Sequence, residues 1–244
     1  LKDLLVTKAQ EGVDVYVLYD DYGCLDLPSS FSTDLQQAGA RISSFMNMDG
    51  DPNRFQLNYR NHRKLVIVDG ITAFVGGHNI GDEYLGKHPT LTPWRDCHLK
   101  IEGPVVSCLQ VPFIEDWKWA TGEIIDGLLW DLKEAKRETT GSSQAVCIAS
   151  GPADKLETCA LYYHAAIHAA QKRIWIATPY FVPDAALVTS LQLAAKRGVE
   201  IRILIPGLSD SFLTERSAYS YLEELDLEGI QIYRYQNGFT HQKV

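Results

Sequence analysis

The sequence predicts an α/β fold of two duplicated halves, each a mixed, mostly parallel sheet flanked by helices, with the halves meeting at a shared cleft. Three observations predict it. Helical and strand periodicities alternate along most of the 244 residues. The order of elements in the first part recurs in the second. A His-x-Lys pair then stands at the matching place of each part, in Asn61-His62-Arg63-Lys64-Leu65 and in Thr240-His241-Gln242-Lys243-Val244.

The repeat is legible residue by residue. A helix followed by Gly12-Val13-Asp14-Val15-Tyr16-Val17-Leu18 corresponds to a helix followed by Gly198-Val199-Glu200-Ile201-Arg202-Ile203-Leu204. Ala38-Gly39-Ala40-Arg41-Ile42 corresponds to Glu228-Gly229-Ile230-Gln231-Ile232. His-x-Lys follows each at similar spacing, which is the signature of an internal duplication. Residues 1–138 are expected to form the first half and 139–244 the second.

Leu1 to Gln10 has helical spacing, with Leu4, Leu5 and Ala9 on one stripe, and Gly12 ends it. Val13 to Tyr19 reads as a strand and Asp20 to Gly23 as a loop. Ser32 is the expected cap of a short helix to Ala38, closed by Gly39. Arg41 to Phe45 reads as a strand, and the polar stretch from Met46 to Tyr59 as a loop. Leu65 to Val68 is a continuous aliphatic run, the pattern of a strand buried on both faces. Asp69-Gly70 signals a tight turn into a returning strand, Ile71 to Val75. Gly76 and Gly77 are small enough for a ligand to approach the backbone.

Ile80 to Leu85 reads as a short helical turn and Trp94 to Ile101 as one strand. Val105 to Thr121 is a helix, because Val106, Leu109, Phe113, Trp117 and Ala120 recur at three and four. Lys136 to Gln144, charged and then rich in Thr, Gly and Ser, is the expected linker. Beyond it come a helix from Glu157 to Gln171, a strand from Arg173 to Thr178 and a helix from Asp184 to Lys196. A strand from Val199 to Ile205, a helix from Ser217 to Leu225 and a strand from Gly229 to Tyr235 follow. Phe239 opens the last strand. Trp117, Trp119, Trp130 and Trp175 read as core residues. His78, His88, His98, His164 and His168 read as polar contacts rather than ligands.

Composition narrows the function. The 45% hydrophobic and 22% charged content is that of an ordinary globular chain. A net charge of −8 makes a poor general nucleic-acid binder, since phosphate contacts need clustered Lys and Arg. The five cysteines form no C-x-x-C pair and imply neither a zinc site nor a disulfide framework. No apolar stretch has the length of a membrane span. The sequence opens without Met inside a helical stretch and closes inside a strand, so a piece of a longer protein is expected.

The paired motifs suit an anionic substrate. Alternation along a strand points His62 and Lys64 the same way. A phosphodiester resists attack because it is already anionic. Two lysines offset that charge, one neutral imidazole attacks phosphorus, and the other protonates the departing alkoxide. The second imidazole then deprotonates the incoming alcohol or water. Opposite protonation states assign the two roles. Asn79, after the paired glycines, can donate an amide hydrogen bond to a bound oxyanion. No metal or cofactor is required, and no metal-ligand cluster is visible.

His62-x-Lys64-x4-Asp69, followed by Gly76-Gly77-x-Asn79, resembles the phospholipase D superfamily signature. A wider set of segments is similar to bacterial cardiolipin synthases. It comprises Tyr19-Asp20-Asp21, Asn58 to Lys64, Asn79 to Leu85, Trp94-Arg95-Asp96, Ile101 to Pro104 and Thr178 to Asp184. The resemblance implies two phospholipase D-like halves and transfer of a phosphatidyl group, with phosphatidylglycerol as donor and usual acceptor, and cardiolipin and glycerol as products. It implies His62 as nucleophile, His241 as acid and base, and Lys64, Lys243 and Asn79 as phosphate ligands. Asp69 belongs to the motif and braces its strand. Asp96 is placed either to orient His62 through the other ring nitrogen or to form a surface ion pair with Arg95. Tyr180-Phe181 either line a lipid entrance or pack. The family further implies a bacterial cytoplasmic membrane location, with this region as the soluble catalytic portion working at the membrane surface.

Two alternatives stay open: a hydrolase using water as acceptor, and a non-catalytic phosphate- or lipid-binding module. The second motif lacks its Asp, and the family's membrane segments and the strand before Leu1 are missing. The second catalytic strand is therefore expected to be unpaired, and this piece alone weakly active or inactive. Nothing indicates an oligomeric state.

Overall fold

The computed structural model describes residues 1–45, 60–130, 143–151, 154–210, 216, 220–222, 225–226 and 229–244. They group into two compact units, 1–73 with 101–153 and 74–100 with 154–244. The expected junction at residues 138 and 139 lies outside the described residues. So do the expected loop at 46–59 and residues 136–142 of the expected linker.

In the first unit, α1 (Lys2–Gln10) ends as the Val13 amide donates to the Lys8 carbonyl. That bond draws Val13 into the helix terminus, so β1 starts three residues later than its apolar run suggests, at Tyr16–Tyr19. Helix α2 (Ser29–Gln37) begins directly after Pro28, whose ψ of 138° keeps it outside the helix. Ser32 lies inside α2 and does not cap it, because the proline has already set the start. Strand β2 (Arg41–Ser44) pairs in parallel with β1, Tyr16 opposite Arg41. Leu35 of α2 is fully buried.

Strand β3 (Leu65–Val68) is packed on one face only, which corrects the expectation of burial on both. Leu65 and Ile67 are half-buried, while Val66 and Val68 are exposed, at 53% and 46%. The run is aliphatic throughout, so its sequence could not show which residues face a neighbour. Asp69 and Gly70 then turn the chain with φ of 54° and 66°, both left-handed, and the Ile71 amide donates to the Val68 carbonyl. Two successive positive φ values define the tight hairpin turn that matches strand twist. Strand β4 (Thr72–Gly76) follows.

Helix α3 occupies Val105–Thr121, the predicted span. It buries Val106, Leu109, Trp117 and Ala120 and packs on β2 and β3. The Trp117 ring meets Tyr16 of β1 edge-on at 5.2 Å. Trp119 is 77% exposed, not a core residue, because two residues turn the side chain about 200° around the helix. Trp130 is exposed as well.

In the second unit, β7 (Arg173–Ala177), β8 (Glu200–Pro206) and β9 (Gln231–Tyr235) form a parallel sheet in that order. Helices α4 (Thr158–Ala169) and α5 (Ala185–Lys196) pack together beside it. The Asp184 side chain caps α5 by accepting from the Leu187 amide at 2.6 Å. Alternation sends Ile201, Ile203 and Ile205 of β8 into a core with Val188, Leu191, Ala194 and Phe181. The described part of the expected helix from Ser217, at residues 220–222 and 225, is helical. Trp175 stands on the other face, 56% exposed, against the expectation of a core residue. The guanidinium groups of Arg173 and Arg202 lie over its ring at 4.8 and 5.4 Å.

The single strand expected from Trp94 to Ile101 is two strands, β5 (Trp94–Arg95) and β6 (His98–Glu102). The break falls at Asp96, whose side chain turns inward and accepts from the Cys97 amide at 2.7 Å. Strand β10 (Phe239–Thr240) pairs in parallel with β5, and Val244 exchanges backbone hydrogen bonds with Ala177. The strand of the second motif is thus paired, contrary to the expectation. Among the described residues no helix is long and apolar enough to cross a membrane.

Candidate functional site

The second His-x-Lys motif is built wholly within the second unit. Pairing of Thr240 with Arg95 sets the register, and the His241 amide donates to the Arg95 carbonyl at 2.7 Å. This delivers the imidazole beside the residue that follows Arg95. His241 Nδ1 lies 2.7 Å from Asp96 Oδ2, across 145 residues of sequence. The Asp96 side chain is fully buried, and its other oxygen is held by the Cys97 amide. Asp96 therefore orients His241, not His62. Nor does it form a surface pair with Arg95, whose guanidinium sits over the Tyr235 ring at 5.7 Å.

A carboxylate accepts only, so Nδ1 carries the ring proton and Nε2 keeps its lone pair. The Lys243 ammonium lies 2.9 Å from Nε2 and 3.2 Å from Nδ1, and donates to the His241 carbonyl at 3.2 Å. Burial pushes the His241 pKa below its ordinary value, and the Lys243 charge adds to that. Asp96 opposes both. The resting ring is neutral at physiological pH, ready to accept a proton or to attack.

Aromatic side chains wall this histidine. Trp94, Tyr84, Tyr180 and Phe239 have ring centroids 5.3, 6.0, 6.1 and 6.1 Å from the imidazole. Phe181, next to Tyr180, is buried in the core of the unit instead. Tyr180 donates its hydroxyl to Asp210 Oδ2 at 2.6 Å. Burial first, and the charges of Glu83 and Asp96 next, raise the Tyr84 pKa to about 12. Asn79 Oδ1 accepts from the Ile80 amide at 2.9 Å, so the expected phosphate ligand has a protein partner here.

The paired glycines serve a different purpose from the expected one. A Cβ on Gly77 would overlap the Asp96 carboxylate, and one on Gly76 would overlap the backbone of Cys97 and His98. They make room for the protein's own orienting acid. Gly77→Ala is therefore expected to displace the Asp96 carboxylate from His241. A thermal melt and the imidazole proton resonance of His241 would separate this from unfolding: the fold persists while the Nδ1 proton signal moves.

The first motif is held within the first unit. Asp20 accepts from the Asn61 amide and from Arg60, both at 2.9 Å. Burial disfavours the Asp20 charge, but the bonds from Arg60, Gly23 and Asn61 hold its pKa below the usual value. Asp116 accepts from the Asn61 side chain at 2.8 Å and pairs with Arg63. The residues on either side of His62 are thus clamped, a function of Asp20 and Asp116 that the motif itself does not reveal. His62 is exposed, and Lys64 donates to the His62 carbonyl at 2.8 Å. Lys243 makes the same bond to its own histidine. The two copies share this local geometry as well as their letters. Asp69 stands exposed at the hairpin turn, with a left-handed backbone.

The remaining histidines make the polar contacts expected of them where partners are seen. His88 Nδ1 accepts from the Leu91 amide at 3.1 Å, and His164 Nδ1 meets Ser190 Oγ at 2.9 Å.

Comparison with known proteins adds three findings. Residues 163–244 match the family described as "Cardiolipin synthase, PLD-like domain". The chain is 50% identical over 244 residues to cardiolipin synthase A of Pseudomonas putida, and 48% identical over 246 residues to that of Pseudomonas fluorescens. Each match covers 100% of this chain and 50% of the relative, so the chain spans about half the length of these curated relatives. Among solved structures, phosphatidylserine synthase of Haemophilus influenzae aligns with 99% of this chain and 65% of its own, at a TM-score of 0.60. At 15% identity that likeness is one of fold.

Proposed function

We propose that this chain, whose residues 163–244 match the PLD-like domain of cardiolipin synthase, belongs to the catalytic portion of a phosphatidyl transferase making cardiolipin from phosphatidylglycerol. The observation that carries this reading is the Asp96–His241–Lys243 cluster. It unites an oriented imidazole and a fixed cation.

Two steps follow. A neutral His62 attacks the donor phosphorus, forming a P–N bond as the P–O bond to glycerol breaks. His241 as imidazolium gives its Nε2 proton to the departing alkoxide. The acceptor hydroxyl then attacks the phosphohistidine, its proton passes to His241, and the P–N bond breaks to free His62. Lys64 and Lys243 offset the phosphate charge and Asn79 donates to a phosphate oxygen. An arriving phosphodiester offsets the Lys243 charge that depresses the His241 pKa, so substrate itself favours the protonated acid. The substrate sits at a membrane surface, and a net charge of −8 disfavours a nucleic-acid substrate.

The test is product identity with the full natural protein on vesicles of labelled phosphatidylglycerol. Cardiolipin and free glycerol in equal amounts are expected. Phosphatidic acid as the sole lipid product would make the protein a hydrolase, and no turnover with no labelled histidine would make it a binding module.

A further inference from the structure

Resting on that reading, we propose that Asp210 and Tyr180 form the subsite that selects a polyol, rather than water or a simple alcohol, as phosphatidyl acceptor. Both lie in the second unit, where Tyr180 stands against His241 and Asp210 holds its hydroxyl. The Tyr180 ring is 6.1 Å from the imidazole at 79°, and its hydroxyl donates to Asp210 Oδ2 at 2.6 Å.

A carboxylate is an odd neighbour for a site that holds an anionic phosphate. Like charges repel, and Lys243 is there to attract the same anion. The acid becomes useful once hydroxyl donors arrive. A carboxylate offers about four lone-pair sites and Tyr180 occupies one. Burial first, and the bond to Asp210 next, hold the Tyr180 phenol well above its ordinary pKa. It therefore stays a donor and pins the carboxylate.

Glycerol and a glycerol headgroup carry neighbouring hydroxyls. One can anchor on Asp210 while the other is presented to phosphorus. In that step the attacking O–H gives its proton to His241 Nε2, the O–P bond forms, and the P–N bond breaks with its electron pair returning to the other imidazole. Water and ethanol have no second hydroxyl, so they gain nothing from the anchor. A charge-assisted hydrogen bond of this kind supports a preference of about tenfold.

The test uses the full natural protein on phosphatidylglycerol vesicles, with labelled glycerol and labelled ethanol supplied together at equal concentration. The ratio of labelled phosphatidylglycerol to phosphatidylethanol is the readout. Asp210→Asn is expected to lower that ratio about tenfold. Tyr180→Phe, which removes only a hydroxyl, is expected to lower it about threefold, and it carries the test if the first variant does not fold. An unmoved ratio, including an equal loss of both products, overturns the subsite. Acid-labile labelling of the unaltered enzyme tests the underlying reading separately. No label sinks the transferase, whereas label with an unmoved ratio sinks only the subsite.

Discussion

His241→Asn in the full natural protein is expected to lower cardiolipin formation about a thousandfold or more, yet to leave the protein able to take up a covalent phosphatidyl label from an activated donor. An unactivated glycerol alkoxide leaves poorly without a proton. In the proposed mechanism His241 supplies it, held by Asp96 at 2.7 Å and walled by four aromatic rings. A nitrophenyl leaving group needs no such help, so the first step survives the loss of the acid. The second step then stalls, because the acceptor hydroxyl has no base. His62→Asn is expected to abolish both turnover and labelling, since no nitrogen remains to attack. The measurement is acid-labile label per mole of protein after a single exposure to each donor. Label on His62→Asn but not on His241→Asn would exchange the two roles.

Asp96→Asn is expected to reduce turnover roughly a thousandfold while preserving the fold. The substituted amide fits the same buried space but can offer its N–H to Nδ1. The ring proton then moves to Nε2, 2.9 Å from the Lys243 ammonium. The lone pair needed for proton transfer would then be aimed at the protein interior. The pH profile separates this from simple disruption. Asp96 favours the charged imidazolium, opposing burial and Lys243. Removing its charge lowers the His241 pKa further. Cleavage of a natural donor requires the protonated ring, so its decline with rising pH is expected to begin at lower pH in the variant. A profile of reduced height but unchanged position would show that Asp96 only fills space.

The elements that follow local rules were read closely. Helix α3 has its predicted ends because five apolar residues recur at helical spacing and Gly122 stops it with a φ of 75°. The Asp69-Gly70 turn was legible because only a few residue pairs tolerate two left-handed conformations in succession. The errors arise where a neighbour decides. Ser32 is a good cap in isolation, but Pro28 started the helix first. Trp175 suits a core, yet its face of β7 is exposed. Gly76 and Gly77 are small for the sake of Asp96, Cys97 and His98, a close approach no local pattern reveals.

By itself, then, the sequence determined the α/β alternation, the duplication and the two His-x-Lys pairs, along with the kind of chemistry they suit. Each rests on backbone preferences and side-chain periods that act over a few residues. Only the tertiary structure decided that Asp96 serves His241, and that Asp210 holds Tyr180 beside the same ring. A hydrogen bond is satisfied within about 3 Å, and which side chains come that close depends on strand order and register rather than on separation along the chain. The parallel pairing of β10 with β5 set that register and joined two groups 145 residues apart.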